Sequence, residues 1–218
     1  MRARSLVLVV LIGLTGSMLW PAAKEPAAAP APEMDAKSAA LLAHVPENSP
    51  GTRIWYAAND YPRLMLPGGR EEIVRSALNI KGPMQFGTFI WDEERIPKKG
   101  AMWVRVDLAH QILSVFRGGH EIGSAVILYG TDGKPTPTGN FTVLQKAADY
   151  HSHSYDAPMP YMLRITDDGV AIHGSNVREG YATHGCIGVP LDFAKRLFTV
   201  MAKGDPVFIV PADAAKHS

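Results

Sequence analysis

The sequence predicts a mainly β domain, a sandwich or barrel, with one helix near its C-terminal end and a short mixed flank in front of it. Three observations lead there. Apolar residues Met102, Val104, Val106 and Leu108 alternate with Trp103, Arg105 and Asp107, which is the period of a half-buried strand. Short apolar runs then recur between turn signals: Gly118-Gly119, the threonine- and proline-bearing segment 130–139, and Asp167-Asp168-Gly169. Only one later stretch has a clear helical face, with Phe193, Ala194, Leu197, Phe198 and Met201 following Pro190.

The elements follow in order. Residues 1–23 carry Arg2 and Arg4, an apolar run from Ser5 to Leu14, and Pro21-Ala22-Ala23. That is the pattern of an export signal. The alternative is an uncleaved N-terminal anchor, although Ser5 to Trp20 is short for a full membrane span. Residues 24–48 read as a spacer, Pro/Ala-rich over 24–36, with room for one short helix from Ser38 to His44. Residues 49–100 are a flank. Pro50, Pro62, Pro67 and Gly68-Gly69 punctuate it, and Arg70–Leu78 has Ile73, Val74, Ala77 and Leu78 at helical spacing. Its aromatics, Trp55, Tyr56, Tyr61, Phe86, Phe89 and Trp91, are expected to pack on the main domain; the alternative is a separate sugar-binding module.

The main domain is expected over 101–211, with 212–218 as a tail. After the first strand come a second over 111–117, a hairpin turn at Gly118-Gly119 and a third over 120–129. Residues 140–145 resume as a strand, and 161–166 with 170–173 form a hairpin. The segment 150–161 is either a lid over the site or a surface loop. The helix is expected to stop near Gly204, and Pro206–Val210 closes the domain as a strand.

Composition narrows the function. Hydrophobic content of 46% suffices for a core, and a net charge of +1 gives no electrostatic reason to expect nucleic acid as a partner. The chain has one cysteine, so it has no intramolecular disulfide. That residue, Cys186, has His184 two positions before it and His173 thirteen before it, each followed by glycine. A thiolate is a strong nucleophile and an imidazole within reach makes it available, so this stretch reads as a cysteine-nucleophile site.

The pattern His173-Gly174, then Thr183-His184-Gly185-Cys186-Ile187, resembles the signature of the L,D-transpeptidase catalytic domain family, the YkuD type. Thr136-Pro137-Thr138-Gly139-Asn140-Phe141, Met159-Pro160-Tyr161 and Gly169–His173 stand where that family has similar segments. The resemblance covers roughly half of the chain, residues 101–210. It implies a mainly β domain with one helix behind the cysteine. It also implies acyl transfer from a peptidoglycan stem tetrapeptide in two steps, through a thioester on Cys186. His173 is then the base, and the Gly174 carbonyl orients its ring. His184, two residues from Cys186 and on the same side of an extended stretch, is expected to position the thiol or pack beneath it, Thr183 to hydrogen-bond within the loop, and the N–H groups of Gly185 and Cys186 to be oxyanion donors. Met159 and Tyr161 are expected against the substrate. Relatives commonly carry arginine where Gly188 stands; Arg178 is the expected substitute for holding a substrate carboxylate.

No cofactor or metal is called for. The expected partners are stem peptides, with a neighbouring stem or a wall-anchored lipoprotein as acceptor, in the periplasm or cell envelope. Membrane contact is expected only through the N-terminal segment if uncleaved. The resemblance also implies acylation by carbapenem-type β-lactams. Three alternatives stay open: a hydrolase with the same acyl-enzyme, a wall-binding protein without turnover, and a zinc peptidase using His151, His153, His173, His184 and Cys186.

Overall fold

A computed structural model of the protein describes residues 53–130 and 133–212. The export signal, the spacer and the helix expected from Ser38 to His44 lie outside the described residues. So do residues 213–218.

Residues 53–91 supply five strands. β1 (Arg53–Trp55) is followed by a hairpin of β2 (Arg63–Leu66) and β3 (Arg70–Ile73), then β4 (Ser76–Leu78) and β5 (Phe89–Trp91). Arg70–Leu78 is therefore strand, not helix, and the turn before it explains why. Pro67-Gly68-Gly69 reverses the chain with both glycines at positive φ, +76° and +74°, which glycine adopts freely and other residues do not. The carboxylates that resemble a helix start instead answer arginines in the hairpin: Glu71 pairs with Arg63, and Glu72 with Arg70 at 2.6 Å. A nine-residue helix is marginal alone, so strand pairing prevails.

The larger sheet is completed by β6 (Met102–Asp107), β7 (Ile112–Arg117), β8 (His120–Val126), β9 (Gly139–Thr142) and β16 (Pro206–Val210). Its order is β1-β4-β8-β7-β6-β16-β9, with β5 also paired to β8. Strands β1, β4 and β5 of the flank thus share one sheet with β6–β9 and β16 of the main domain, while β2 and β3 pair only with each other. β6 is buried on both faces rather than one. Val104 and Val106 enter the main core, while Trp103 stacks on Phe116 with ring centroids 3.9 Å apart. Leu66 and Val74 from the flank join that second cluster. The sequence reading of a half-buried strand fails here because the flank hairpin covers the other face.

A smaller hairpin, β11 (His151–Ser152) and β12 (Ala157–Pro158), precedes the site. A four-stranded sheet runs β10 (Gln145–Ala147), β13 (Met162–Arg164), β14 (Ala171–Gly174), β15 (Ile187–Val189). The single strand expected over 140–145 is divided between the two sheets. The chain crosses at Val143 and Leu144, whose N–H groups donate to Asp205 and Arg164 carbonyls at 3.0 and 2.7 Å.

Helix α1 (Leu191–Val200) follows directly from β15. Its buried residues Phe193, Ala194 and Leu197 join Leu163, Ile172, Ile187, Val104 and Val115 in one core, so helix and both sheets close over the same apolar interior. Asp192 lies in its first turn, where the helix dipole favours an anion. At the other end the Lys146 ammonium donates to the carbonyls of Phe198, at 2.6 Å, and Met201. That contact satisfies helix-end acceptors and ties β10 to the helix.

Candidate active site

The site grows out of one parallel strand pair. β14 and β15 register Ile172 against Ile187, His173 against Gly188 and Gly174 against Val189. Ile172, Ile187 and Val189 point into the core. Side chains alternate along a strand, so Ala171 and His173 occupy the opposite face. Cys186, one residue before β15, packs there with Ala171, Met159 and Met162. Continuing the register by one residue sets Cys186 opposite Ala171. The sulfur and the imidazole therefore share a face on neighbouring strands, offset by two residues along them, with Gly188 opposite His173.

The ring of His173 is oriented. Its Nδ1 lies 3.0 Å from the Gly174 carbonyl oxygen, which can only accept. Nδ1 therefore carries the hydrogen and Nε2 keeps a free lone pair. Burial pulls the imidazole below its ordinary pKa, partly offset by the bond to Gly174. Burial also pushes the Cys186 thiol up, against the opposing effects of an Ala171 backbone contact and the Lys134 charge; Asp168 pushes it further up. Burial thus favours the uncharged form of both groups, which lie on one face of the small sheet. The sequence reading expected the histidine to lower the thiol; here desolvation is the largest influence, and the lowering ones come from Ala171 and Lys134.

The turn that delivers Cys186 is anchored at several points. Gly185 has φ +100°, a conformation that favours glycine. Thr183 donates its hydroxyl to the Cys186 carbonyl, and its N–H to the Tyr129 carbonyl at 3.1 Å. The buried Thr136 hydroxyl donates to the Gly185 carbonyl at 3.0 Å and accepts from the Gly130 N–H at 2.8 Å. Gly130 has to be glycine: a Cβ there would lie 2.2 Å from the Lys134 carbonyl and 2.7 Å from Gly185 N.

Other residues expected at the site fall in different places. Met159 is buried beside Cys186. Tyr161, at φ +56°, instead packs its ring on Phe198, centroids 5.9 Å apart. His184 is exposed and stacks on Tyr155 of the β11–β12 hairpin, centroids 4.9 Å apart and planes within 19°. Gly185, at φ +100°, interrupts the extended stretch that would carry His184 to the side of Cys186. Arg178 is exposed, and its Nε donates to Asn176 Oδ1 at 3.0 Å. A groove of about 760 Å³ is lined by His173, Gly174, Pro160, Phe89, Asn176 and Leu191 among others, and Cys186 is not in its lining. Arg178 is not part of its lining.

Three participants escaped sequence reasoning. Lys134 reaches the Tyr155 hydroxyl, lies with its ammonium 5.0 Å from that ring's centroid, and its charge is felt at Cys186. Phe89 enters the groove from the flank. Thr136 was visible inside the Thr-Pro-x-Gly segment, but only the fold shows that it meets Gly185. Among the described residues no group of three or more His, Cys, Asp or Glu is arranged to hold a metal ion, so the histidines and cysteine of the zinc alternative are not gathered into such a site.

The model of the YkuD L,D-transpeptidase catalytic domain matches residues 101–209. The chain belongs to that family. Among curated proteins, this L,D-transpeptidase family member is 29% identical over 114 residues to L,D-transpeptidase 1 of Mycobacterium tuberculosis strain H37Rv, covering 44% of this chain and 45% of that one. It thus spans less than half the length of the curated relatives it matches. An L,D-transpeptidase structure from Stackebrandtia nassauensis is 28% identical with a TM-score of 0.48, over 53% of this chain and 57% of that one. The structure of LdtMt1 in complex with imipenem is 25% identical with a TM-score of 0.48, over 50% and 59%.

Proposed function

We propose that this family member is an exported cysteine L,D-transpeptidase that takes an acyl group from a peptidoglycan stem tetrapeptide and passes it to an amine. The observation that carries the reading is the pairing of Cys186 and His173 on one face of the small sheet, with His173 Nε2 left free by the Nδ1 bond to Gly174.

The uncharged forms that burial favours set the order of events. The Cys186 thiol gives its proton to His173 Nε2 as the sulfur attacks the carbonyl carbon of the third stem residue. A tetrahedral oxyanion forms, and backbone N–H groups at Gly185 and Cys186 are its donors. The imidazolium returns the proton to the departing D-alanine amine, leaving a thioester. An acceptor amine then attacks that thioester, gives a proton to His173, and the sulfur leaves as thiolate to recover it. A neighbouring stem as acceptor gives a 3→3 cross-link; a lipoprotein amine gives wall attachment. The export pattern in residues 1–23 supports a place in the cell envelope, and among the described residues no helix is long and apolar enough to cross a membrane.

The test is intact-mass measurement of the full chain after incubation with disaccharide tetrapeptide. The expected adduct on Cys186 equals the donor minus D-alanine, and Cys186→Ala gives none. Cross-linked dimers are the expected product; tripeptide as the sole product would replace transpeptidation by hydrolysis. Unmodified enzyme with no product would remove the acyl-transfer reading.

A further inference from the structure

We propose that Thr136 is a positioning residue for acyl transfer, acting by aiming the N–H of Cys186 at the developing oxyanion. The inference rests on the acyl-transfer reading above.

The argument begins with the peptide joining Gly185 to Cys186. It is trans, like the other described peptide bonds. In a planar trans peptide the C=O and N–H point in opposite directions. Whatever holds the Gly185 carbonyl therefore also sets the direction of the Cys186 N–H. That holder is the Thr136 hydroxyl, 3.0 Å from the Gly185 carbonyl oxygen and itself only 5% exposed. With the carbonyl tied towards the buried junction, the Cys186 N–H is turned outwards.

The hydroxyl is held in turn. It has one proton to give, and the Gly130 N–H occupies an acceptor position at 2.8 Å, so its hydrogen is committed to Gly185. Gly130 and Gly185 are in backbone contact close enough to forbid a side chain at 130, which limits any slide of the turn. Gly185 at φ +100° supplies a peptide that would otherwise be free to rotate. One buried hydroxyl thus stands where a flexible glycine needs a fixed reference. Both hydrogen bonds of the Thr136 hydroxyl go to backbone groups, at Gly130 and Gly185. Its effect is confined to steps in which negative charge builds on the attacked oxygen.

That confinement supplies the test. Acylation of Cys186 passes through an oxyanion. Alkylation of the same sulfur by iodoacetamide does not: sulfur displaces iodide from an sp³ carbon. Full-length wild type, Thr136→Val, Thr136→Ala and Thr136→Ser are compared in both reactions at one pH, with disaccharide tetrapeptide or a carbapenem as the acylating probe. Removing an oxyanion donor typically costs about 10²–10³-fold in rate, so misaiming one is expected to slow acylation by roughly 10–100-fold in the Val and Ala variants. Alkylation is expected to stay within about two-fold of wild type, and Thr136→Ser, which keeps the hydroxyl, to recover most of the acylation rate. Wild-type acylation rates in both the Val and Ala variants overturn the inference. So does a parallel fall in both reactions, which marks a collapsed turn rather than a misaimed donor. Failure of wild type to acylate while its thiol still alkylates removes the function and this inference together.

Discussion

The side chain of Ser175 fills the space that a side chain at position 188 would need: a Cβ on Gly188 would lie 2.9 Å from the Ser175 Cβ and 3.4 Å from that of Leu128. The two residues meet because β14 leads into Ser175, whose N–H bonds the Val189 carbonyl at 2.8 Å. Gly188→Ala is expected to destabilise the protein by about 1–3 kcal/mol through overpacking. Adding Ser175→Gly should recover much of that loss, and a double-mutant cycle by chemical denaturation measures the coupling. Strict additivity would show that the two sites do not compete for space.

Removing the imidazole separates two reactions of one sulfur. His173→Gln is expected to slow acylation by roughly 10²–10⁴-fold, the usual worth of a positioned acid–base group. The thiol should still alkylate at high pH, where hydroxide supplies the thiolate. Stopped-flow acylation beside alkylation rates checks this; equal acylation by the variant would take His173 out of the mechanism.

The pH profile follows from burial. His173 is held below the ordinary imidazole value, so its base form persists into mild acid and the acid limb of acylation should fall below about pH 6.5. Cys186 is pushed up, so its alkylation midpoint should lie above the ordinary thiol value of about 8.5. A thiol fully reactive towards iodoacetamide at pH 6 would instead indicate a resting thiolate–imidazolium pair.

The positive charge of Lys134 lowers the Cys186 thiol against the effect of burial. Lys134→Gln is expected to move the alkylation midpoint to still higher pH. Tyr155→Phe keeps the ring on His184 while removing the hydroxyl that Lys134 contacts, and it tests whether that contact holds the charge in place. An unchanged midpoint in Lys134→Gln would show the charge to be too well screened to matter.

The flank is tested through its core contacts. Leu66 is 4% exposed and packs in the cluster of Trp103, Phe116 and Phe208. Leu66→Ala is expected to cost about 2–5 kcal/mol while unfolding stays a single transition. Two separate transitions would mean that the flank folds as a unit of its own.

Much of this was legible in the sequence, for identifiable reasons. The Gly118-Gly119 hairpin and helix Leu191–Val200 depend on local signals, namely turn glycines and an apolar face of helical period. The Cys186–His173 pair was legible because both residues lie in one short motif that two paired strands deliver. What stayed hidden depends on distant partners. Arg70–Leu78 has helical spacing, but Arg63–Leu66 pairs with its first half. Trp103 looks like the solvent side of a strand until Leu66 and Val74 cover it. The placing of His184 assumed an extended chain up to Cys186, where positive φ at Gly185 turns the backbone. Thr136 meets Gly185 across 49 residues of chain, a contact that no local pattern announces.

The shared sheet has a practical consequence for anyone trimming the protein. β8 is paired by β4 and β5, both of which lie before residue 100. A fragment cut to residues 101–209 would leave that strand with an open ladder of N–H and C=O groups and uncover the indole of Trp103. Bare edges and exposed aromatics recruit other chains. Such a fragment should accumulate as inclusion bodies, whereas one beginning at Arg53 should remain dispersed.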